Sequence, residues 1–315
     1  MKKRSFLVMG LIIGVLFMAS AAFSQESISA KEWTSVVEQI GAKGKVNWSG
    51  GYIEATGIGA PPERFYGKPQ ARPMALRAAQ VDAYRNLLEV VQGVRVDSET
   101  EVRDFTVASD VIKAKVEGLV KGAQLIKRDY LSDGTVEVTL RMPLYGESAI
   151  ANVIMPLPKP AKAEPAPAAP PAAPPAEPTP PAEPAPPAGP QVTAPPPAPA
   201  APEVFTGLVV DARGIQLRPT MKPKILDEGG QEVYGYMMVD QTYANQQGIS
   251  SYSKDLTAAQ GNPRVTNNPL TVKALRSEGP TKGDVVISAA DASKIGGAAE
   301  NLAFLKKCRV MIVLD

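Results

Sequence analysis

Residues 124–144 read QLIKRDYLSDGTVEVTLRMPL, and the order of residue types in this stretch decides the fold class. From Thr135 onward the chain alternates: Val136, Val138, Leu140 and Met142 point one way, while Thr135, Glu137, Thr139 and Arg141 point the other. Successive side chains of a strand leave opposite faces, so the pattern predicts a strand with one buried and one wet face. Ser132, Asp133 and Gly134 form a turn signal that joins it to a first strand over residues 124–131.

Upstream, residues 73–93 carry the strongest helical pattern. Leu76, Ala79, Ala83, Leu87 and Val90 or Val91 make one stripe, and its alanines let the helix lie close to a sheet. Arg77, Gln80, Asp82, Arg85, Glu89 and Gln92 fill the other side, and Gly93 stands where a C-terminal cap belongs. Asp82, Arg85 and Glu89 are spaced for surface ion pairs and read as a solvated helix face. A second helix is expected from Ser109, whose hydroxyl can cap it, with an extended segment over residues 94–102 before it. Closer to the N-terminus, Trp33, Val36, Val37 and Ile40 recur at helical spacing. Two short strands follow, 46–48 and 52–56, around Gly50 and Gly51. The expected order is strand, strand, helix, strand, helix, strand, strand. That is a small α+β domain with helices on one face of a mostly antiparallel sheet.

The run Ala75, Leu76, Arg77, Ala78, Ala79, Gln80, Asp82, Ala83, Arg85, Leu88, Glu89, Gly93 and Val94, with Val96 and the late hairpin, resembles the Lpp-twenty lipoprotein-like domain. That domain is similar to the N-terminal part of flagellar assembly protein T, and the resemblance covers about residues 50–144. It implies a bacterial envelope protein, often surface- or flagellum-associated, that acts through interactions. Many members are lipoproteins. Here no cysteine lies near the start of the chain, so no lipidation site is expected.

Between residues 156 and 202 proline, alanine and a few glutamates replace the core-forming residues, and about two thirds of the 31 prolines fall here. Such a segment cannot bury enough apolar surface to offset its ordering entropy, so it is expected to be a disordered linker. At ~3.1 Å per residue, a polyproline path of this length reaches on the order of 140 Å. The expectation is therefore two folded units held apart.

A second α+β unit is expected at 203–315. Residues 204–210 read as a β-branched strand, and 224–226 and 232–234 flank the hairpin signal Asp227, Glu228, Gly229, Gly230. Residues 236–260 read as a long polar loop, 270–275 and 284–288 as strands, 298–307 as a short helix and 309–314 as the closing strand. No family is evident for this part.

Lys2, Lys3 and Arg4 precede an apolar run at 6–18 that is too short to span a bilayer, followed by Ala19, Ser20, Ala21, Ala22 and Ser24. Residues 1–24 are expected to be a signal peptide cleaved after Ser24, with Ala21 as the other site. The protein is then periplasmic or outer-membrane-associated, without a transmembrane span. Loss of those three cations takes the formal charge from +2 to about −1, which gives no electrostatic basis for nucleic acid. The single cysteine, Cys308, reads as a small buried apolar residue.

With no histidine and one cysteine, Ser-His-Asp and Cys-His nucleophile systems and His-liganded zinc sites cannot be built. The run Leu208 to Gly214 resembles the strand that opens zinc amidases, but the histidine ligand of that pattern is missing. No phosphate-cradling glycine loop occurs. Asp211 with Asp227 or Glu228 is the remaining carboxylate pairing, and all three read as turn residues. The chain is therefore read as a non-enzyme without catalytic residues, metal or cofactor.

The expected function is a cell-envelope scaffold or assembly protein acting through protein–protein contact, with flagellar basal-body or outer-membrane components as partners. The alternative is a peptidoglycan- or glycan-binding module using Trp48, Tyr52, Tyr66, Tyr234, Tyr236, Tyr243 and Tyr252 as stacking faces. Expected partner contacts are the wet hairpin residues Glu137, Thr139 and Arg141, the loop residues Arg64, Phe65 and Tyr66, and Tyr243 and Tyr252 in the polar loop.

Overall fold

A computed structural model describes residues 34–155, 204–297 and 299–315. The signal peptide and the Pro/Ala-rich linker expected from sequence lie outside these residues, as do residues 27–33 of the helix expected over 27–41. Of the part within them, Val37–Ile40 is a strand, β1.

Strands β2 (Gly44–Asn47) and β3 (Tyr52–Gly59) form a hairpin, and Gly51 at its turn has a φ of +67° that favours glycine. A 3₁₀ turn (Glu63–Phe65) leads to α1 (Ala71–Gln92), then α2 (Val102–Ala108) and α3 (Asp110–Lys121). Ser109 caps α3, accepting from the Ile112 amide at 3.4 Å. Helix α2 occupies the end of the stretch expected to be extended, because Glu101 and Asp104 make a reciprocal capping box that starts a helix there. The hairpin β4 (Gln124–Tyr130) and β5 (Val136–Pro143) completes an all-antiparallel sheet of order β1-β2-β3-β5-β4.

Helix α1 covers one face of this sheet. Ala75, Ala79, Ala83 and Leu87 are fully buried along it, against Ile53, Ala55 and the glycines of β3. An added Cβ at Gly57 would stand 2.1 Å from the Ala83 amide nitrogen, and one at Gly59 would stand 2.3 Å from the Ala75 carbonyl. Small residues on both partners set the helix directly on the strand.

After α4 (Ala151–Ile154) the described chain resumes at Val204. Strands β6 (Gly207–Asp211), β7 (Ile225–Leu226) and β8 (Glu232–Tyr234) are followed by helix α5 (Gln241–Gln247) and strand β9 (Ser251–Ser253). Next come α6 (Leu256–Gln260), β10 (Pro269–Glu278), β11 (Asp284–Ile287), α7 (Ala289–Gly296), α8 (Ala299–Lys306) and β12 (Val310–Val313). The segment read as a polar loop therefore holds two helices and a strand, with Asp240 and Asp255 as their N-caps.

The α+β class with two sheets is as expected. Strand direction in the second sheet differs: β6 runs parallel to β10 and β12, β12 to β9, and β7 to β11. Only β10–β11 and β7–β8 are antiparallel. The reason lies in burial. Every residue of β6, β11 and β12 is buried, and runs such as Leu208, Val209, Val210 belong to strands covered on both faces. Val209, Met311 and Val313 face a small core beneath α6, while Leu208, Val210 and Ile312 face the main core.

The two sheets are not held apart. They form one compact unit with a shared core that runs from Val36 through Met155 and on to Leu314. Residues 95–98 lie against 219–222 and 281–284 of the other half. Met221 donates its amide to the Arg95 carbonyl at 3.1 Å, and Lys222 to Val96 at 2.7 Å. The Ser98 hydroxyl donates to Asp284 Oδ2 at 2.5 Å, beside Gly279 and Gly283. Arg95, 6% exposed, donates to the Pro219 carbonyl and pairs with Glu38. Polyproline stiffness speaks only for a spacer's own reach; apolar and polar complementarity between its flanks decides whether they meet.

Candidate functional site

The face of the first sheet opposite α1 is open, and its side chains follow from register. Lys45 pairs with Glu54, Glu54 with Arg141, and Arg141 with Gln124, so these four form one row across β2, β3, β5 and β4. Thr56, Thr139 and Lys127 form the next row, and Ile58, Glu137 and Asp129 the one after it. Cross-strand neighbours stand close enough to interact directly.

Glu54 is the centre of the first row and only 5% exposed. It accepts from Arg141 Nε at 2.7 Å and pairs with Lys45 Nζ at 3.1 Å, so a nearly buried carboxylate is held between two half-exposed cations. The Arg141 guanidinium lies 4.1 Å from the centre of the Tyr52 ring. Thr56 and Thr139 hydroxyls meet at 3.2 Å, and Lys127 pairs with Asp129 at 2.6 Å. A groove of about 490 Å³ runs over these rows from Lys43 and Lys45 to Lys127 and Glu137.

Its outer rim is β4, which ends the sheet. Six of the seven β4 residues are exposed, including Leu125, Ile126 and Tyr130. Among the described residues no other strand pairs with its outer side. An exposed edge offers unpaired backbone N–H and C=O groups to another strand. Chemically the site is a charge-patterned face beside an open edge.

Glu137, Thr139 and Arg141 thus stand together on this face, as the alternation in the sequence predicts. Arg64, Phe65 and Tyr66 lie in the 3₁₀ turn and its exit, with Tyr66 56% exposed and the Arg64 guanidinium 5.0 Å from the Phe65 ring centre. Pro61, which opens that loop, packs near Gly134 of the β4–β5 turn, and Arg72 lies over Tyr130, so the loop neighbours the end of the hairpin. Tyr243 is exposed on α5, in the other half.

Tyr252 is a correction. It is 2% exposed, its ring meets Trp48 edge-on at 6.0 Å, and its hydroxyl donates to the Thr220 carbonyl while accepting from the Thr220 amide. A tyrosine with both hydrogen-bonding functions satisfied between two sheets is a core residue. Trp48 and Tyr234 are likewise buried and offer no stacking face.

Asp211, Asp227 and Glu228 are not brought together for acid–base work. Asp211 binds Arg213 through both carboxylate oxygens, which holds its pKa below the usual carboxylate range despite burial. Asp227 accepts from the Gln231 amide in its turn, and Glu228 from the Ala289 amide. Cys308 is buried, and burial raises its thiol pKa to about 11.

Sequence reasoning missed Lys45, Glu54 and Lys127 on the open face. The signal was present in β3, where Glu54 and Thr56 alternate with Ile53 and Ala55. It was hidden because two glycines replace apolar residues on the buried side.

Residues 207–315 match the family model for the second domain of Treponema pallidum Tp0624. The match spans the whole second sheet, from β6 through β12, and stops short of the first sheet with its open face. It covers about a third of the chain. No curated protein matches the chain.

Proposed function

We propose that this chain is a non-enzymatic scaffold or assembly protein of the bacterial cell envelope that binds a partner protein at β4 and the charged face beside it. The observation that carries this reading is the coincidence of an exposed sheet edge with an ordered ladder of opposite charges. Backbone pairing at such an edge supplies affinity, and the side-chain rows supply register and selectivity. The leader-like N-terminus and the resemblance of residues 50–144 to the Lpp-twenty domain support a periplasmic or outer-membrane setting, with flagellar or outer-membrane components as partners. The similarity of residues 207–315 to a Treponema pallidum domain is in keeping with a bacterial origin. The alternative, a peptidoglycan- or glycan-binding module, keeps Tyr66 and Tyr243 of its set as exposed stacking faces, since Trp48, Tyr234 and Tyr252 are buried and Tyr52 and Tyr236 half-buried.

The test is site-specific photo-crosslinking in cells, with the probe at Ile126, Lys127 or Thr139 and, for comparison, at Tyr243. Discrete protein adducts at the first three positions support the scaffold reading, and mass spectrometry names the partner. Absence of adducts there, with the protein retained on purified sacculi, sinks it in favour of glycan binding.

A further inference from the structure

A cavity of about 250 Å³ lies where the two sheets meet. Trp48 and Gly51 of the β2–β3 turn, Tyr145 after β5, Gln246 at the end of α5, Ser250 and Arg264 contribute to its wall. The Tyr145 ring is set between two glycines of positive φ. A Cβ on Gly248 would stand 2.7 Å from the ring and one on Gly51 3.4 Å from it. The aromatic wall is therefore fixed by backbone.

Arg264 is the one cation among these wall residues. Its guanidinium donates to three carbonyls: Cys308 at 2.7 Å, Gln247 at 2.9 Å and Gly248 at 2.5 Å. A guanidinium carries more N–H groups than these three acceptors take. The titratable groups that act on it are Tyr145, Tyr234 and Cys308, and burial keeps all three protonated and uncharged at neutral pH. Among the described residues the positive charge thus meets carbonyl dipoles but no anion. Beside it, Ser250 is 3% exposed; its hydroxyl lies near the Tyr252 phenol but has no partner at hydrogen-bonding geometry. Buried polar atoms normally have partners, so unpartnered ones beside a cavity point to a ligand.

From this geometry we infer that the cavity binds a small monocarboxylate, such as the free C-terminal end of a short peptide, through Arg264 with the Ser250 hydroxyl as second donor. A carboxylate fits because one negative charge balances one guanidinium in planar, paired geometry. A phosphate dianion would leave a charge uncompensated. Tyr145 would meet the apolar part, and the small volume admits a terminus rather than a long chain. This site is independent of the β4 edge.

The experiment is an NMR titration of the full mature chain, following the Trp48 indole N–H and the Arg264 Nε–H. The probes are N-acetyl-dialanine as free acid, the same compound as its amide, and inorganic phosphate. Saturable shifts at both reporters with the acid, and none with the amide or phosphate, are expected. Gln246 is exposed, so its charge can be varied without disturbing the core. Gln246→Lys should tighten and Gln246→Glu weaken binding of the acid by about threefold each, the scale of a solvent-screened pair. Equal responses to acid and amide, equal responses to acid and phosphate, or no response would each overturn the assignment and leave Arg264 as a latch on the end of α5.

Discussion

Gly57 shows how much a single missing side chain can fix. Its Cα faces the backbone of α1, and any Cβ would overlap the Ala83 amide and the Ala79 carbonyl. Gly57→Ala is expected to push the helix off the sheet and cost ~1–3 kcal/mol or more, as overpacking does, seen as a lower thermal midpoint by circular dichroism. Retention of the wild-type midpoint would mean that helix and sheet are less tightly apposed. Cys308 gives a second prediction at this scale. Its thiol moves from an ordinary 9.0 to about 11 in the fold. At pH 8 the folded protein should therefore be alkylated roughly a hundredfold more slowly than the unfolded chain, measured by iodoacetamide labelling with and without urea. The linked stability follows: the fold holds this proton more tightly, so the contribution is intact below pH 9 and is lost as pH rises towards and through 11.

At the scale of elements, the first sheet separates packing from recognition by face. Helix α1 takes one side of β3 and β5, and the charged rows take the other. Glu54 links the rows, so its removal is informative. Glu54→Ala should leave Lys45 and Arg141 facing each other and lower stability by ~1–3 kcal/mol, the penalty for stranding hydrogen-bonded partners. Because both cations are more than two-fifths exposed, the low end of that range is expected. Chemical denaturation of wild type, Glu54→Ala and Glu54→Gln would check it, with Glu54→Gln intermediate. The β5 part of this face was legible from sequence, since strict alternation in residues 135–142 assigns each side chain to a side, whereas Lys45, Glu54 and Lys127 joined it only through strand pairing. The β9 region was not. Residues 251–253 are too short to show a period, and only their pairing with β12 makes them a strand and buries Tyr252.

At the scale of the whole molecule, the two sheets behave as one body. Arg95, Ser98, Trp48 and Tyr252 tie residues 34–155 to 204–315 through buried contacts. If a specific protease site is inserted within residues 156–203 and cut, the two fragments should co-elute on gel filtration and melt in a single transition. Separate elution would show that the halves are independent. Truncating Glu38 to alanine strands the buried Arg95 guanidinium and should cost ~3–5 kcal/mol, less some relief from the exposed fraction of Glu38, while leaving each sheet's own register intact. A loss confined to one half, followed by hydrogen exchange, would contradict a shared core. Sequence alone determined the α+β class, the first sheet's hairpins, the helix over it, and the absence of histidine chemistry, because these rest on local period and composition. Tertiary structure alone decided the parallel centre of the second sheet, the burial of Tyr252, the isolated charge of Arg264, and the union of the two halves. Those depend on contacts between residues far apart in the chain, and local pattern carries no record of which distant surfaces are complementary.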